Sequence, residues 1–275
     1  YGPFFNYFGG GFLRYYLQSK VIDSGYYKLS SCSSQIQSGV SYYSYMWMYG
    51  QSTEAIWKVS QTLNSYGGAI GQVFFNFDNV SYKPDYVPAT WVMNLYGSTD
   101  LRASAFFRTI QTGYSHGLQW PAVYKYYGDQ GVFVPYKIYG VCIPMVLRLS
   151  EQYLIRAEAY ASQDVPDYGK AGKDISALRS ARYSSYGGST PMDGSNAMTI
   201  IEEERIKELY MEGFRLNDLK RWHKGFERDK SDQSSEYFTP SGLKVDKDDP
   251  LFVWPIPQHE LESPGAEIEP NDSNK

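Results

Sequence analysis

Two cysteines, Cys32 and Cys142, supply all the thiol in this 275-residue chain. They stand far apart and in no metal or redox spacing, which excludes a disulfide framework and a zinc site. Each is expected to behave as a small buried hydrophobe, and the sequence leaves open whether they pair. Histidine is equally scarce: His116, His223 and His259 are scattered, with no carboxylate or second histidine at ligand spacing. Metal catalysis and a serine-type triad both lack their base, so no metal and no cofactor are expected. Asp246, Asp248 and Asp249 lack the glycine and distal glutamate of a calcium loop and read as a solvated turn. No apolar run reaches the roughly 18 residues a membrane-spanning helix needs, and no charged start leads into an apolar stretch as in a signal peptide. Nor is there an excess of positive charge: 26 basic against 30 acidic side chains leave −4, with no basic stripe among the aromatics. That balance excludes nucleic acid as a partner. Gly67-Gly68 and Gly187-Gly188 lack the strand, turn and helix that a phosphate cradle requires.

What the chain has in abundance is aromatic surface. It holds 27 tyrosines, 14 phenylalanines and 6 tryptophans, 17% of its residues, against a charged fraction of 20%. Tyrosine offers a flat apolar face and a hydrogen-bonding tip with few rotors to freeze, which suits exposed recognition surfaces. Some of these rings must fill the core, and the rest are expected near water. The length suits one large domain or two ordinary ones.

Apolar periodicity divides the chain into three stretches. Leu13, Tyr16, Leu17 and Val21 recur at helical spacing up to the stop Asp23-Ser24-Gly25, and Tyr26 to Leu29 reads as extended. From residue 30 to 143 the pattern breaks into short pieces rich in Tyr, Gly, Ser, Asn and Pro. These include a helix around Thr90 to Tyr96 and short strands at Ala55 to Val59 and Val73 to Phe77. After Pro144, Val146, Leu149, Tyr153, Ala157 and Tyr160, widened by Leu154 and Ala161, predict a core-facing helix of about four turns. A second helix carries Ala171, Ile175, Leu178 and Arg182, and the two predict an antiparallel helical hairpin of the tetratricopeptide kind. Thr199-Ile200-Ile201-Glu202 reads as a capping box opening a third helix, with Ile206, Leu209, Tyr210 and Gly213 inward. Leu219 and Trp222 follow one turn apart. Leu251 to Trp254 reads as a strand ended by Pro255 and Pro257, and the polar tail 262–275 as surface. The expected class is mainly α: a helical-repeat scaffold with long loop-rich insertions and a few short strands.

Two groups of residues invite a chemical reading. Glu202, Glu203, Glu204, Arg205, Lys207, Glu208, Glu212 and Arg215 concentrate charge on the third helix and its exit. Glu208 and Glu212, four apart, would lie about 5–6 Å from each other, near the carboxylate separation of retaining glycosidases. Two acids on one helical face cannot flank a scissile bond from opposite sides, however, and Arg205 and Arg215 stand ready as partners, so an ion network between helices is the expectation. In the loop-rich middle, Tyr66, Phe74, Tyr82, Tyr86, Trp120, Tyr124 and Tyr126 are candidate ligand-binding rings that a rigid scaffold could present together. A sugar packs its C–H face on such a plane, and peptides use the same surface. The alternative is that these rings tie the long loops to the scaffold.

Four ordered motifs carry a resemblance. Arg148-Leu149-Ser150-Glu151-Gln152-Tyr153-Leu154-Ile155-Arg156-Ala157-Glu158-Ala159 resembles the Arg-Leu-x-Glu-x-Tyr-Leu-x-x-Ala-Glu-Ala helix of the SusD/RagB family. Ala177-Leu178-Arg179-Ser180-Ala181-Arg182 is similar to its Leu-Asn-x-Ile-Arg-x-Arg-Ala helix. The run from Glu204 to Arg215, with Asp218-Leu219 and Arg221-Trp222, resembles its Glu-Arg-x-x-Glu-Leu-x-x-Glu-Gly-x-Arg signature. Pro255-Ile256-Pro257 with Glu260 matches a Pro-Ile-Pro element. Asp100-Leu101-Arg102 and the run from Val21 to Leu29 resemble weaker upstream motifs. The chain departs from the family at Ser263-Pro264 and Glu269-Pro270-Asn271, where Asn-Pro steps are usual, and at its start, where a lipid-bearing cysteine and the first helical repeats are expected.

The resemblance implies a single domain, 1–275, forming roughly the C-terminal two-thirds of a longer protein. Within it, 1–29 is a helix and short extended piece, 30–143 the ligand-presenting region and 144–275 the helical scaffold and tail. It further implies a nutrient-binding lipoprotein anchored in the outer membrane of Bacteroidetes. Such a protein captures oligosaccharide, or in some branches oligopeptide, and passes it to a SusC-like TonB-dependent barrel transporter. Arg148, Glu151, Glu158, Glu204, Arg205, Glu208, Glu212, Arg215, Asp218 and Trp222 would then define the fold, with no catalytic residue. The readings this displaces are a glycoside hydrolase and a helical-repeat adaptor.

Overall fold

The apolar spacing through Leu149, Leu154, Ala157 and Ala161 builds the helix on which the others pack. The computed structural model describes residues 10–60, 70–78, 80–114, 119–129, 140–228, 244–265 and 267–274, and Tyr66 and His116 lie outside them. Among the described residues there are ten α-helices and eight short strands, with three 3-10 turns besides. Helices α1 (Gly10–Asp23), α2 (Tyr42–Tyr49), α3 (Gln72–Phe75), α4 (Thr90–Asn94), α5 (Arg102–Phe106), α6 (Leu149–Ala161), α7 (Tyr168–Arg182) and α8 (Ala197–Glu208) fall in one compact unit, residues 1–208. Helices α9 (Arg215–Arg221) and α10 (Gln258–Leu261) fall in a second, residues 209–275.

Within the first unit α1, α7 and α8 all pack on α6. Leu154 and Ala157 are completely buried, and the alanines of α6 let its neighbours approach closely. The α6–α7 pair is the predicted hairpin. In α7 the predicted stripe Ala171, Ile175 and Leu178 is also completely buried. The Asp167 carboxylate caps α7, accepting the Lys170 N–H at 2.9 Å, and Arg179 and Arg182 sit at its negative end. α2 closes on Gly50, whose positive φ of 64° lets its N–H reach the Met46 carbonyl at 2.9 Å.

The strands pair antiparallel, two at a time. β1 (Gln35–Gln37) joins β2 (Val40–Ser41), β3 (Ala55–Lys58) joins β6 (Met145–Arg148), and β4 (Phe107–Gln111) joins β5 (Gln119–Val123). β3 is the strand expected at Ala55. The helix expected to begin at Val146 starts instead at Leu149, because β6 pairs with β3 as far as Arg148, whose extended backbone (φ −139°, ψ 156°) forms the boundary.

Residues 73–75 form a helical turn, not the expected strand. Phe74 and Phe75 are both buried; a strand would point them to opposite faces and would need cover on both sides to do the same. Gly71 begins this turn against the backbone at 126 and 140: a Cβ there would lie 2.1 Å from the Tyr126 carbonyl oxygen. α8 begins at Ala197, two residues ahead of the expected capping box. Asp193 and Asn196 cap it reciprocally, the Asp193 carboxylate accepting the N–H of Ser195 at 2.8 Å and Asn196 at 3.2 Å, and Asn196 Oδ1 accepting the N–H of Asp193 at 2.9 Å. Thr199 is exposed within the first turn.

In the second unit Leu219, Val245 and Phe252 form a small core, with Phe226 against it, and β7 (Phe226–Glu227) pairs with β8 (Lys244–Val245). Gly213, expected inward, is exposed at φ 88°. The strand expected at Leu251–Trp254 is a 3-10 turn over Pro250–Phe252, with Trp254 82% exposed. Its backbone groups are satisfied by the tail instead of by a ladder. Asn271 Nδ2 donates to the Trp254 carbonyl at 2.8 Å, Ser273 Oγ to those of Pro250 at 2.5 Å and Val253, and Asn274 exchanges two hydrogen bonds with Ile256 at 3.0 and 2.9 Å.

Candidate functional site

The β4–β5 hairpin carries the aromatic surface. Its register runs from Phe107 opposite Val123 to Gln111 opposite Gln119, with Pro121 opposite Thr109. A proline is tolerated here because the ribbon has only two strands and each has a free edge. Tyr82 is bridged to Phe77 and to Thr112, and its carbonyl accepts the Gly113 N–H at 2.8 Å. That pins it to the end of β4. Its hydroxyl meets that of Tyr127 at 3.3 Å, Tyr127 stacks on Tyr124 with centroids 5.0 Å apart and planes 13° apart, and the Arg108 guanidinium lies 3.9 Å from the centre of the Tyr124 ring. Close by in sequence, the Tyr114 ring sits 5.7 Å from Trp120 and its hydroxyl donates to the Pro84 carbonyl at 2.8 Å. Burial, then the hydrogen bond from Tyr82, raises the Tyr127 hydroxyl well above the usual phenol range, so it stays a neutral donor and acceptor.

The candidate rings divide into two layers. Tyr86 is 59% exposed, and Tyr82, Trp120 and Tyr124 are partly exposed. Phe74 and Tyr126 are buried, stacked on each other at 5.1 Å. They lie inside, away from water. Tyr86 leans on this pair, 6.5 Å from Phe74. Deeper still, Lys125 places its Nζ 4.1 Å from the Trp47 ring and 4.4 Å from Phe106, attractions of about 2 kcal/mol when desolvated. Tyr114, Tyr127 and Arg108 were missed at the sequence level. Tyr126 and Tyr127 are adjacent, and only the 3-10 turn over Tyr124–Tyr126 decides which of them turns inward.

The charged residues around α8 form a different kind of assembly. Glu54, Asp100, Glu204 and Glu208 meet Arg102, Arg148, Arg182 and Lys207 with none of the eight more than 4% exposed. Glu208 takes Arg102 Nη1 at 2.9 Å, Arg182 Nε and Nη2 at 3.0 and 2.9 Å, Arg148 Nη1, and the Tyr43 hydroxyl at 3.3 Å. Glu54 takes Arg148 and Arg182 at 2.9 Å and the Ser30 N–H at 2.8 Å. Glu204 lies 2.7 Å from both Arg102 and Arg179, and Asp100 chelates Arg102 at 2.9 and 2.7 Å. Burial acts to raise the Glu208 carboxyl, but Arg182, Arg148 and Arg102 together outweigh it and hold it well below the usual carboxylate range. Glu204 is likewise held down, against burial, by Arg102, Lys207 and Arg179.

A carboxylate stabilised in this way carries no proton to donate near neutrality and is a weak base, the opposite of a tuned catalytic acid. Glu151, Glu158 and Arg205 are also buried in this unit. In the second unit Asp218 accepts Arg221 Nε at 3.0 Å and Nη2 at 2.9 Å, Arg221 lies 4.4 Å from the Trp222 ring centre, and Glu212 and Arg215 are partly exposed. Glu54, Asp100, Arg102 and Arg182 complete a cluster of which the sequence signalled mainly the α8 half.

Other sites are quickly described. Cys32 and Cys142 are buried, free thiols, each pushed by burial up to about 12. His223 is exposed beside Asp248 at 3.0 Å. Among the described residues no group of three His, Cys, Asp or Glu is placed to hold a metal ion, and no helix is long and apolar enough to cross a membrane.

The described residues thus combine a predominantly helical scaffold, a buried ionic lock and an aromatic surface at the β4–β5 hairpin. The SusD family profile matches residues 119–266, just over half of the chain, and the chain belongs to that family. Its fold is similar to that of a SusD superfamily protein from Bacteroides thetaiotaomicron (TM-score 0.71, 22% identity, 90% of this chain and 54% of that one). It is also similar to a surface glycan-binding protein A from Bacteroides fluxus (TM-score 0.63, 20% identity, 95% and 58%) and to a SusD-like carbohydrate binding protein from Bacteroides vulgatus (TM-score 0.58, 20% identity, 78% and 42%). The chain thus spans about half the length of these solved structures. No curated protein matches the sequence.

Proposed function

We propose that this chain belongs to a cell-surface nutrient-binding protein that captures oligosaccharide on the surface formed by Tyr82, Tyr86, Trp120 and Tyr124. The observation that carries the reading is the two-layer arrangement of rings: Tyr86 open to water on top, the stacked Phe74–Tyr126 pair fixed beneath. A sugar loses little by packing its C–H face on rings already held in place, because the ordering cost has been met in folding. Hydroxyls at Tyr82 and Tyr127 supply hydrogen-bonding groups beside the rings. The glycan- and carbohydrate-binding names of two structural neighbours point the same way.

Delivery to a TonB-dependent SusC-like transporter, with a lipid anchor in the outer membrane, is the role that membership of the family suggests for the whole protein. Catalysis has no place in the proposal: Glu204 and Glu208 of α8 each face buried guanidiniums. Calorimetric titration of the full-length protein against defined glycans and defined peptides tests the reading. Saturable heat with glycans alone supports it; heat with peptides alone replaces it with oligopeptide capture on the same scaffold.

A further inference from the structure

Resting on glycan capture at the aromatic surface, we infer that the preferred ligand is an anionic oligosaccharide, bearing carboxylate or sulfate groups, and that Arg108 is the residue that selects it. Three observations meet at this side chain. Arg108 is exposed on β4, opposite Ala122 of β5, and its guanidinium lies over the Tyr124 ring at 3.9 Å. Among the described residues no carboxylate pairs with it: its one close partner is that ring. From residue 101 to residue 128 the sequence contains no acidic residue, and the other two cations of that stretch, Arg102 and Lys125, are buried.

The contrast with the rest of the molecule sharpens the point. Arg102, Arg148, Arg156, Arg179, Arg182 and Arg221 each hold a carboxylate at 3.2 Å or less. Arg108 instead holds its guanidinium 3.9 Å from the centre of a tyrosine ring, and among the described residues no carboxylate takes its N–H donors. A guanidinium matches a carboxylate or sulfate with paired N–H donors in one plane, and the ring contact holds the group beside the aromatic row in advance. The ring it covers belongs to a continuous row: Tyr124 stacks on Tyr127, and Tyr127 meets the Tyr82 hydroxyl. Arg108 is the terminal member of that row, so a sugar lying along the rings brings its substituent to the guanidinium. The chain's formal charge of −4 does not oppose this. At physiological ionic strength charges beyond about 8 Å are largely screened, so the local guanidinium decides.

The test is calorimetry on the full-length protein with two matched pairs of probes: tetragalacturonate and its tetramethyl ester, and a sulfated galactan tetrasaccharide and its desulfated form. The expected result is roughly tenfold tighter binding, about 1.4 kcal/mol, of the anionic member of at least one pair; which pair responds identifies carboxylate or sulfate as the group read. Arg108→Gln abolishes that difference while the neutral member still binds and the circular dichroism spectrum is unchanged, and Arg108→Lys retains part of it. Equal affinities within both pairs, binding confined to other neutral glycans, or a preference that survives Arg108→Gln overturns the inference and leaves glycan capture standing. Heat from defined peptides with none from any glycan overturns both.

Discussion

Replacing Glu208 by glutamine changes one buried charge and almost no volume, and it isolates what the ionic cluster does. The carboxylate faces Arg102 and Arg182 at 2.9 Å, with Arg148 also in contact. At an effective dielectric near 20 each 2.9 Å contact represents about 5–6 kcal/mol of gross attraction, most of which offsets the cost of removing the ions from water. Breaking such a pair while leaving the opposite charge buried costs about 3–5 kcal/mol. Here the loss leaves four cations, Arg102, Arg148, Arg182 and Lys207, against the three acids Glu54, Asp100 and Glu204. Hydrogen exchange followed by mass spectrometry reads the effect locally, which suits a chain of two compact units better than a single unfolding midpoint. Protection of the α8 amides in Glu208→Gln is expected to fall by roughly a hundredfold to several thousandfold at 1.4 kcal/mol per tenfold. The control is Glu203→Gln, which removes a half-exposed i,i+4 pair with Lys207 worth about 0.3–0.5 kcal/mol, and it should move protection less than threefold. A loss below tenfold in Glu208→Gln would refute the reasoning.

Acid sensitivity follows from the same cluster. Glu204 and Glu208 are held below their ordinary value of 4.5 in the folded chain, so below about that pH the unfolded state binds protons that the folded state refuses. Stability is therefore complete above this range and falls as pH drops through it, by up to about 1.4 kcal/mol per pH unit for each acid; urea midpoints that stay level from pH 5 to pH 3 would contradict this. Truncation separates the two aromatic layers: Phe74→Ala is expected to cost about 3–5 kcal/mol of stability, seen as a lower urea midpoint. Trp120→Ala should leave the midpoint nearly unchanged and weaken glycan binding about tenfold, or about 1.4 kcal/mol, in calorimetry. Cys32 and Cys142, buried and pushed up to about 12, should react with a thiol reagent at pH 8 only after denaturant is added. Prompt labelling of the native protein would show the burial to be wrong.

The helices were legible wherever an apolar stripe recurs at three and four residues, because burial of one face fixes both the element and its orientation. Leu149 to Ala161 and Ala171 to Leu178 are of this kind. Errors fell where tertiary contacts override local pattern. Phe74 and Phe75 both turn inward because the chain is held by Gly71 against Tyr126, and nothing in the residues themselves records that. The Leu251–Trp254 run has the composition of a strand, but Asn271 and Ser273 take its backbone groups from twenty residues away or thereabouts. The capping box at Thr199 was a sound local signal displaced by a stronger one, the reciprocal Asp193–Asn196 turn just upstream. Of the aromatic surface, composition announced that rings would reach water and left open which. Tyr126 and Tyr127 are the same residue type at adjacent positions, separated only by the direction of one turn. The ionic cluster was half visible: α8 displayed its acids and bases in sequence, whereas Glu54 reaches Arg182 across 128 positions.

A crystal structure of the full-length protein with the oligosaccharide it binds would bear most directly on the division between a buried lock and an exposed reading surface. Sugar density is expected against Tyr86 and Trp120, within reach of Tyr82 and Arg108, with the Glu208 guanidinium contacts unchanged from the unliganded protein. A sugar ring seated between Glu208 and a second carboxylate, with the arginine contacts released, would contradict it.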